Sequence, residues 1–115
     1  MTNVTEDALE EGIEFILTNA DHSWFTEELC GGGLKRFVVA VTDNQSWTVP
    51  LLIEQAKRTM ILFWQATIGW WTSPEGTVVV DIGISTDDLA AAKWIGKAYN
   101  QKAVRDSIEK KEIRL

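Results

Sequence analysis

The chain has 115 residues, one cysteine, six tryptophans and a formal net charge of −6. That length fits a single domain, residues 1–115, with a core of its own. The acidity argues against a nonspecific grip on nucleic acid, which needs Lys and Arg to neutralise phosphates, and no segment reaches the ~20 apolar residues of a membrane span.

Residues 5–20 read as the first helix. Thr5 suits the N-cap, Glu6 and Asp7 suit the positive end of the helix dipole, and Val4 and Leu9 hold the two places of a hydrophobic staple. Leu9, Ile13, Ile16, Leu17 and Ala20 form one apolar stripe, while Glu10, Glu11 and Glu14 form an acidic outer face that reads most simply as solvated. Residues 21–33 fit either a short helix capped by Ser23 or an irregular loop. Gly31-Gly32-Gly33 ends that stretch as a linker, because no Lys-Ser/Thr or helix-opening pattern follows to hold a phosphate.

Residues 34–42 read as a strand, with Phe37, Val39 and Val41 on one face and Val38 and Ala40 on the other. Apolar character on both faces places it centrally in a sheet. Asp43-Asn44-Gln45 is a turn. Residues 47 to about 65 form the second helix, with Thr48 as cap and Pro50 in the first turn, where a missing N–H is harmless. Its stripe is Val49, Ile53, Ala56, Met60 and Phe63. Residues 60–64 are apolar on nearly all sides, so this end is expected to be buried or to pass into strand.

Residues 67–72 and 77–84 flank Ser73-Pro74-Glu75-Gly76, whose residues fit a type I turn in order. This is a β-hairpin. Val78, Val80, Ile82 and Ile84 share one face, read as core; Thr77, Val79, Asp81 and Gly83 share the other, where Gly83 leaves room for a close approach. Trp70 and Trp71 are neighbours in a strand and must point to opposite faces. Residues 85–100 form the third helix, opened by the capping-box spacing Ser85-Thr86-Asp87-Asp88 and closed by Asn100 in a left-handed conformation. Leu89, Ala92, Ile95, Gly96 and Tyr99 line one face. A short strand at 103–106, a charged turn through Lys110 and Lys111, and residues 112–115 finish the chain.

The string from Thr77 to Ile113 resembles the C-terminal half of small uncharacterised proteins encoded by actinobacterial phages and mobile elements. Those have a strand ending in Asp-aliphatic-Ser, an Asp-rich helix start, then Asn-Gln-x-Ala-aliphatic-x-Asp and Glu-Ile. The matching residues are Asp81, Ser85, Asp87, Asn100, Gln101, Ala103, Val104, Asp106, Glu112 and Ile113. The likeness covers about the last third of the chain. It implies a setting in which small accessory proteins bind and inhibit a host protein, and it carries over no catalytic residue.

Chemistry is sparse. His22 and Cys30 are too few for a zinc site and lack the spacing of a nucleophile pair. Asp43 and Asp81 sit where turns and strand ends favour Asp, and Asp87 and Asp88 suit a helix N-terminus better than a metal. No nucleophile, base or metal cluster stands out, so no cofactor and no enzymatic activity are expected. The tryptophans resist so plain an account. Most belong in a core, but aromatics also anchor interfaces.

These readings converge on a two-layer α+β domain: a mixed sheet of about four strands with three helices mainly on one face. Trp70, Trp71, Asp81 and Trp94 are the candidate binding residues, on an exposed part of the sheet and the neighbouring third helix. The leading expectation is a non-enzymatic interaction protein that binds a protein partner with a basic surface, without direct nucleic-acid or membrane contact. A small-ligand or carbohydrate module on the same Trp face, and a homodimerisation module, are the alternatives. The lone Cys30 and an N-terminus without basic and apolar signal regions predict a reducing, cytoplasmic setting.

Overall fold

A computed structural model describes residues 6–19, 25–30, 32–42, 44–72 and 74–115. The predicted hairpin forms. Strand β3 (Ala66–Thr72) runs antiparallel to β4 (Val78–Thr86), with Ile68 opposite Ile82 and Trp70 opposite Val80. Around it lie α1 (Glu6–Asn19), β1 (Phe25–Cys30), β2 (Phe37–Ala40), α2 (Val49–Phe63), α3 (Leu89–Ala98), β5 (Ala103–Asp106) and β6 (Lys111–Arg114).

The six strands form one sheet in the order β1-β3-β4-β2-β5-β6. Every pairing is antiparallel, which corrects the expectation of a mixed, four-stranded sheet. The reason lies in the crossovers. Helix α2 carries the chain from β2 to β3, but β4 fills the place between them. Helix α3 carries it from β4 to β5, but β2 fills that place. Parallel neighbours are thus never adjacent. The run β2-α2-β3-β4-α3-β5 has the split β-α-β-β-α-β connectivity called ferredoxin-like, and β1 and β6 extend the sheet at its two edges. Strand β1 occupies the stretch left open between helix and loop. Its sequence lacks alternation, and it forms by pairing along β3, with a bulge between Glu28 and Cys30.

The helices cover one face. Leu9 and Ile13 of α1 and Leu52, Ile53, Ala56 and Met60 of α2 pack with Ala66, Ile68, Trp70, Val80 and Ile82. Ala92 of α3 packs with Phe37, Val39, Ile84 and Val104. The alternation in β4 therefore selects the core face as read: Val80, Ile82 and Ile84 are buried under the helices and Val78 packs beside them.

Helix boundaries differ from the periodicity in instructive ways. Thr48 caps α2, its hydroxyl accepting the Leu51 N–H at 3.2 Å. Helix α3 begins later than residue 85, because β4 continues through Thr86 to pair with Phe37. Its N-cap is Asp88, which accepts the Ala90 and Ala91 N–H groups. Ser85 is thus a buried strand residue and no cap. Asn100 adopts the expected left-handed conformation, with φ of 56°. At Gly83 the close approach is made by the protein itself: a Cβ there would collide with the Val39 carbonyl oxygen. Thr5, Ala20, His22, Ser23, Asp43 and Ser73, to which the sequence assigns roles, lie outside the described residues.

Candidate interaction surface

The four candidate residues do not converge. Trp70 points under the helices, is 7% exposed and meets Trp47 at a ring separation of 6.2 Å. It presents no surface to a partner. Trp71 turns to the opposite face, half-buried, and its indole Nε1–H donates to Asp81 Oδ2 at 3.3 Å. The other oxygen of Asp81 accepts the Asn44 N–H at 3.3 Å. Asn44 then exchanges two amide hydrogen bonds with Gln55 of α2, at 2.6 and 3.0 Å. Trp71 and Asp81 thus belong to a polar latch that ties the hairpin to the β2–α2 connection. Trp94 stands apart on the outer side of α3, 74% exposed.

The residues missed by sequence reasoning lie at the end of α2. Residues 60–64 are neither buried throughout nor strand. Met60 is buried, but Ile61, Leu62 and Trp64 are 69%, 65% and 65% exposed. The helix stops because Trp64 takes a left-handed conformation, with φ of 62°, and its N–H closes on the Met60 carbonyl at 2.8 Å. That position favours Gly or Asn, since a Cβ crowds the backbone there. Phe63 turns inward and touches Tyr99 at the end of α3, with ring centroids 6.3 Å apart. A helical wheel could not separate Ile61 and Leu62 from Met60 and Phe63, because all four are apolar. Only the direction in which the sheet lies divides them.

Helix α1 presents an acidic face of its own. Asp7, Glu10, Glu11 and Glu14 are all exposed, and the last turn carries no basic residue. At helical spacing these carboxylates are neighbours, and like charges three and four apart repel by about 0.2–0.5 kcal/mol per pair.

A cleft of about 340 Å³ lies elsewhere, lined by Gly33, Lys35, Arg36, Asp87, Ser107 and Ile108. Arg36 and Asp87, two of its charged groups, are committed to the fold. Arg36 binds Asp106 through two hydrogen bonds, and Asp87 accepts the Arg36 N–H at 3.2 Å. The Arg36 contact, helped by the N–H groups of Glu109 and Ile108 and opposed by burial, draws the Asp106 carboxyl down from 3.8 to about 2. The Ser107 hydroxyl donates to the Arg36 carbonyl at 2.7 Å. Among the described residues, no three His, Cys, Asp or Glu side chains come together in a way that could hold a metal ion, and no helix is long and apolar enough to cross a membrane.

The fold is therefore an α+β domain with an open antiparallel sheet and one helical layer. Such connectivity hosts many unrelated activities and assigns none. Comparison with protein-family models, curated proteins and solved structures finds no significant match.

Proposed function

We propose that the protein is a non-enzymatic binding module that docks on another protein through the end of α2. Trp64 carries this reading. A large aromatic side chain stands 65% exposed on a backbone conformation that suits Gly. Neither burial nor local geometry accounts for Trp at that place, whereas an interface anchor does. Ile61, three residues before it, and Leu62, two before it, are further exposed apolar side chains at the same helix end. The acidic face of α1 favours a partner with a basic surface, through electrostatic complementarity. On the likeness of the C-terminal third to phage and mobile-element proteins, that partner is read as a host protein which the module inhibits.

The test is affinity capture from a bacterial lysate with wild type and Trp64→Gly, followed by binding measurements on the purified partner. The expected result is one dominant partner, held by wild type and released by Trp64→Gly at unchanged circular dichroism, with binding that weakens as salt rises. A partner held equally by both forms would place the interface elsewhere.

A further inference from the structure

The sheet ends on β1 at one edge and on β6 at the other, and among the described residues no strand pairs with the outer side of β6. An edge strand carries backbone N–H and C=O groups that its own sheet leaves unpaired. In an antiparallel ladder successive residues turn these groups to opposite sides. The Leu115 N–H donates to the Lys102 carbonyl at 3.0 Å, in step with the register that sets Ile113 opposite Val104 and Lys111 opposite Asp106. Lys111, Ile113 and Leu115 therefore turn their backbone groups inward to β5, while Glu112 and Arg114 turn theirs outward. The side chains alternate too. Ile113 and Leu115 pack with the core cluster that holds Ala92 of α3, so Glu112 and Arg114 stand on the face away from the helices, both exposed. Among the described residues, neither of these two side chains has an ion-pair or hydrogen-bond partner.

This edge is complementary to itself when reversed. Two copies of β6 laid antiparallel about a twofold axis through Ile113 set Glu112 against the partner's Arg114, and Arg114 against the partner's Glu112. Both are outward-turned positions, so each pair exchanges two backbone hydrogen bonds, four in all. Opposite charges directly across a pair of strands attract, and each contact occurs twice, as an isologous interface requires. The two Ile113 residues meet on the axis as the closer, non-hydrogen-bonded pair, on the helix side of the sheet. An axis through Glu112 or Arg114 instead would set like charges opposite each other, which is destabilising. Backbone hydrogen bonding and charge thus select the same register. Charged residues on an edge strand commonly discourage pairing; here their signs alternate so as to match a reversed copy. The opposite edge lacks this property, because β1 carries Glu27 and Glu28 with no basic residue and is interrupted by a bulge.

We propose that β6 is a dimerisation edge: a second copy of this chain pairs its own β6 antiparallel about Ile113 and joins the two sheets into one continuous sheet. The overlap runs only over residues 111–115, so the buried area falls well under the ~1,200 Å² of a standard stable interface. The dimer is therefore weak and concentration-dependent. It makes no use of Trp64, so the dimer and the partner-binding module stand or fall independently.

The experiment is molar mass by light scattering across a hundredfold range of protein concentration. It compares wild type, Glu112→Arg, the double variant Glu112→Arg/Arg114→Glu, and Arg114→Pro, each checked for fold by circular dichroism. Wild type is expected to move from one chain's mass towards two. Glu112→Arg sets like charges across both pairs and raises the dissociation constant on the order of tenfold, and the charge-swapped double variant recovers most of that loss. Arg114→Pro removes an outward N–H and leaves the β5 ladder intact, since Pro is tolerated on an edge strand where its N faces solvent; it is expected to stay folded and monomeric. Wild type that remains monomeric throughout overturns the proposal, as does an Arg114→Pro protein that dimerises normally. A dimer that Glu112→Arg weakens and the charge swap fails to restore overturns the register about Ile113. Should Arg114→Pro fail to fold, the two charge variants decide the question alone: a dimer indifferent to both overturns the β6 edge.

Discussion

Arg36 grips Asp106 with two hydrogen bonds, from Nε to Oδ1 at 3.0 Å and from Nη2 to Oδ2 at 2.8 Å, tying the end of β5 to the residue just before β2. The guanidinium also stacks over the Phe37 ring, 5.0 Å from its centre. Asp106 itself is 2% exposed and accepts the N–H groups of Ile108 and Glu109, so one carboxylate sets both the sheet junction and the following turn.

This pair makes the fold acid-sensitive. The carboxyl ionises at about 2 in the folded chain, against an ordinary 3.8. A depressed folded value means that the stabilisation is complete above the unfolded value and is lost as pH falls through the folded one. Urea unfolding of wild type is therefore expected to weaken between pH 3.8 and about 2. Asp106→Asn, less stable at neutral pH, lacks that part of the slope. An unaltered slope in the variant would assign the acid sensitivity to other carboxylates.

Two tryptophans with equal side chains should respond oppositely to truncation. Trp70 is 7% exposed and Trp94 is 74% exposed. Trp70→Ala leaves a core cavity and is expected to lower stability by about 3–5 kcal/mol. Trp94→Ala removes little buried surface and should stay within about 0.5 kcal/mol of wild type when the protein is monomeric. Chemical denaturation at low protein concentration reads both.

Trp64→Gly should stabilise the isolated protein. The left-handed backbone at this helix end strains a residue with a Cβ by about 1–2 kcal/mol, and Gly relieves that strain against some gain in unfolded-chain entropy. A net rise of about 0.5–1 kcal/mol in unfolding free energy is the expected outcome. A fall in stability would mean that the Trp64 side chain packs against the fold after all.

Gly83→Ala tests the closeness of β2 to β4. The added methyl meets the Val39 carbonyl oxygen and the Ala40 backbone, which side-chain rotation cannot move. A loss of about 1–3 kcal/mol follows from overpacking of this kind. The melting transition should fall accordingly, with secondary structure retained below it.

Local chemistry made much of the fold legible. Alternation in residues 78–84 selected the helix-covered face, because a strand offers only two directions for its side chains. Thr48, Pro50 and Asn100 act where their backbone preferences place them, at a helix start and a helix end. The separation of Trp70 from Trp71 follows from the same period of two. The sequence alone also determined the net acidity, which no packing alters.

Other features were decided only by long-range contact. Strand β1 exists because β3 offers an edge, although Phe25–Cys30 shows no strand pattern of its own. The antiparallel order arises because β4 and β2 each insert between strands joined by a helix, a choice made by the whole sheet. Ser85 became a strand residue because pairing with Val38 extended β4 past the capping signal. The exposed tryptophans depended on the tertiary structure most of all. Apolar residues filled nearly every side of residues 60–64, so periodicity could not say which would face water. Only the placement of α2 and α3 on the sheet buried Met60 and Gly96 while leaving Trp64 and Trp94 outside, since burial belongs to the packed layers and not to any one segment.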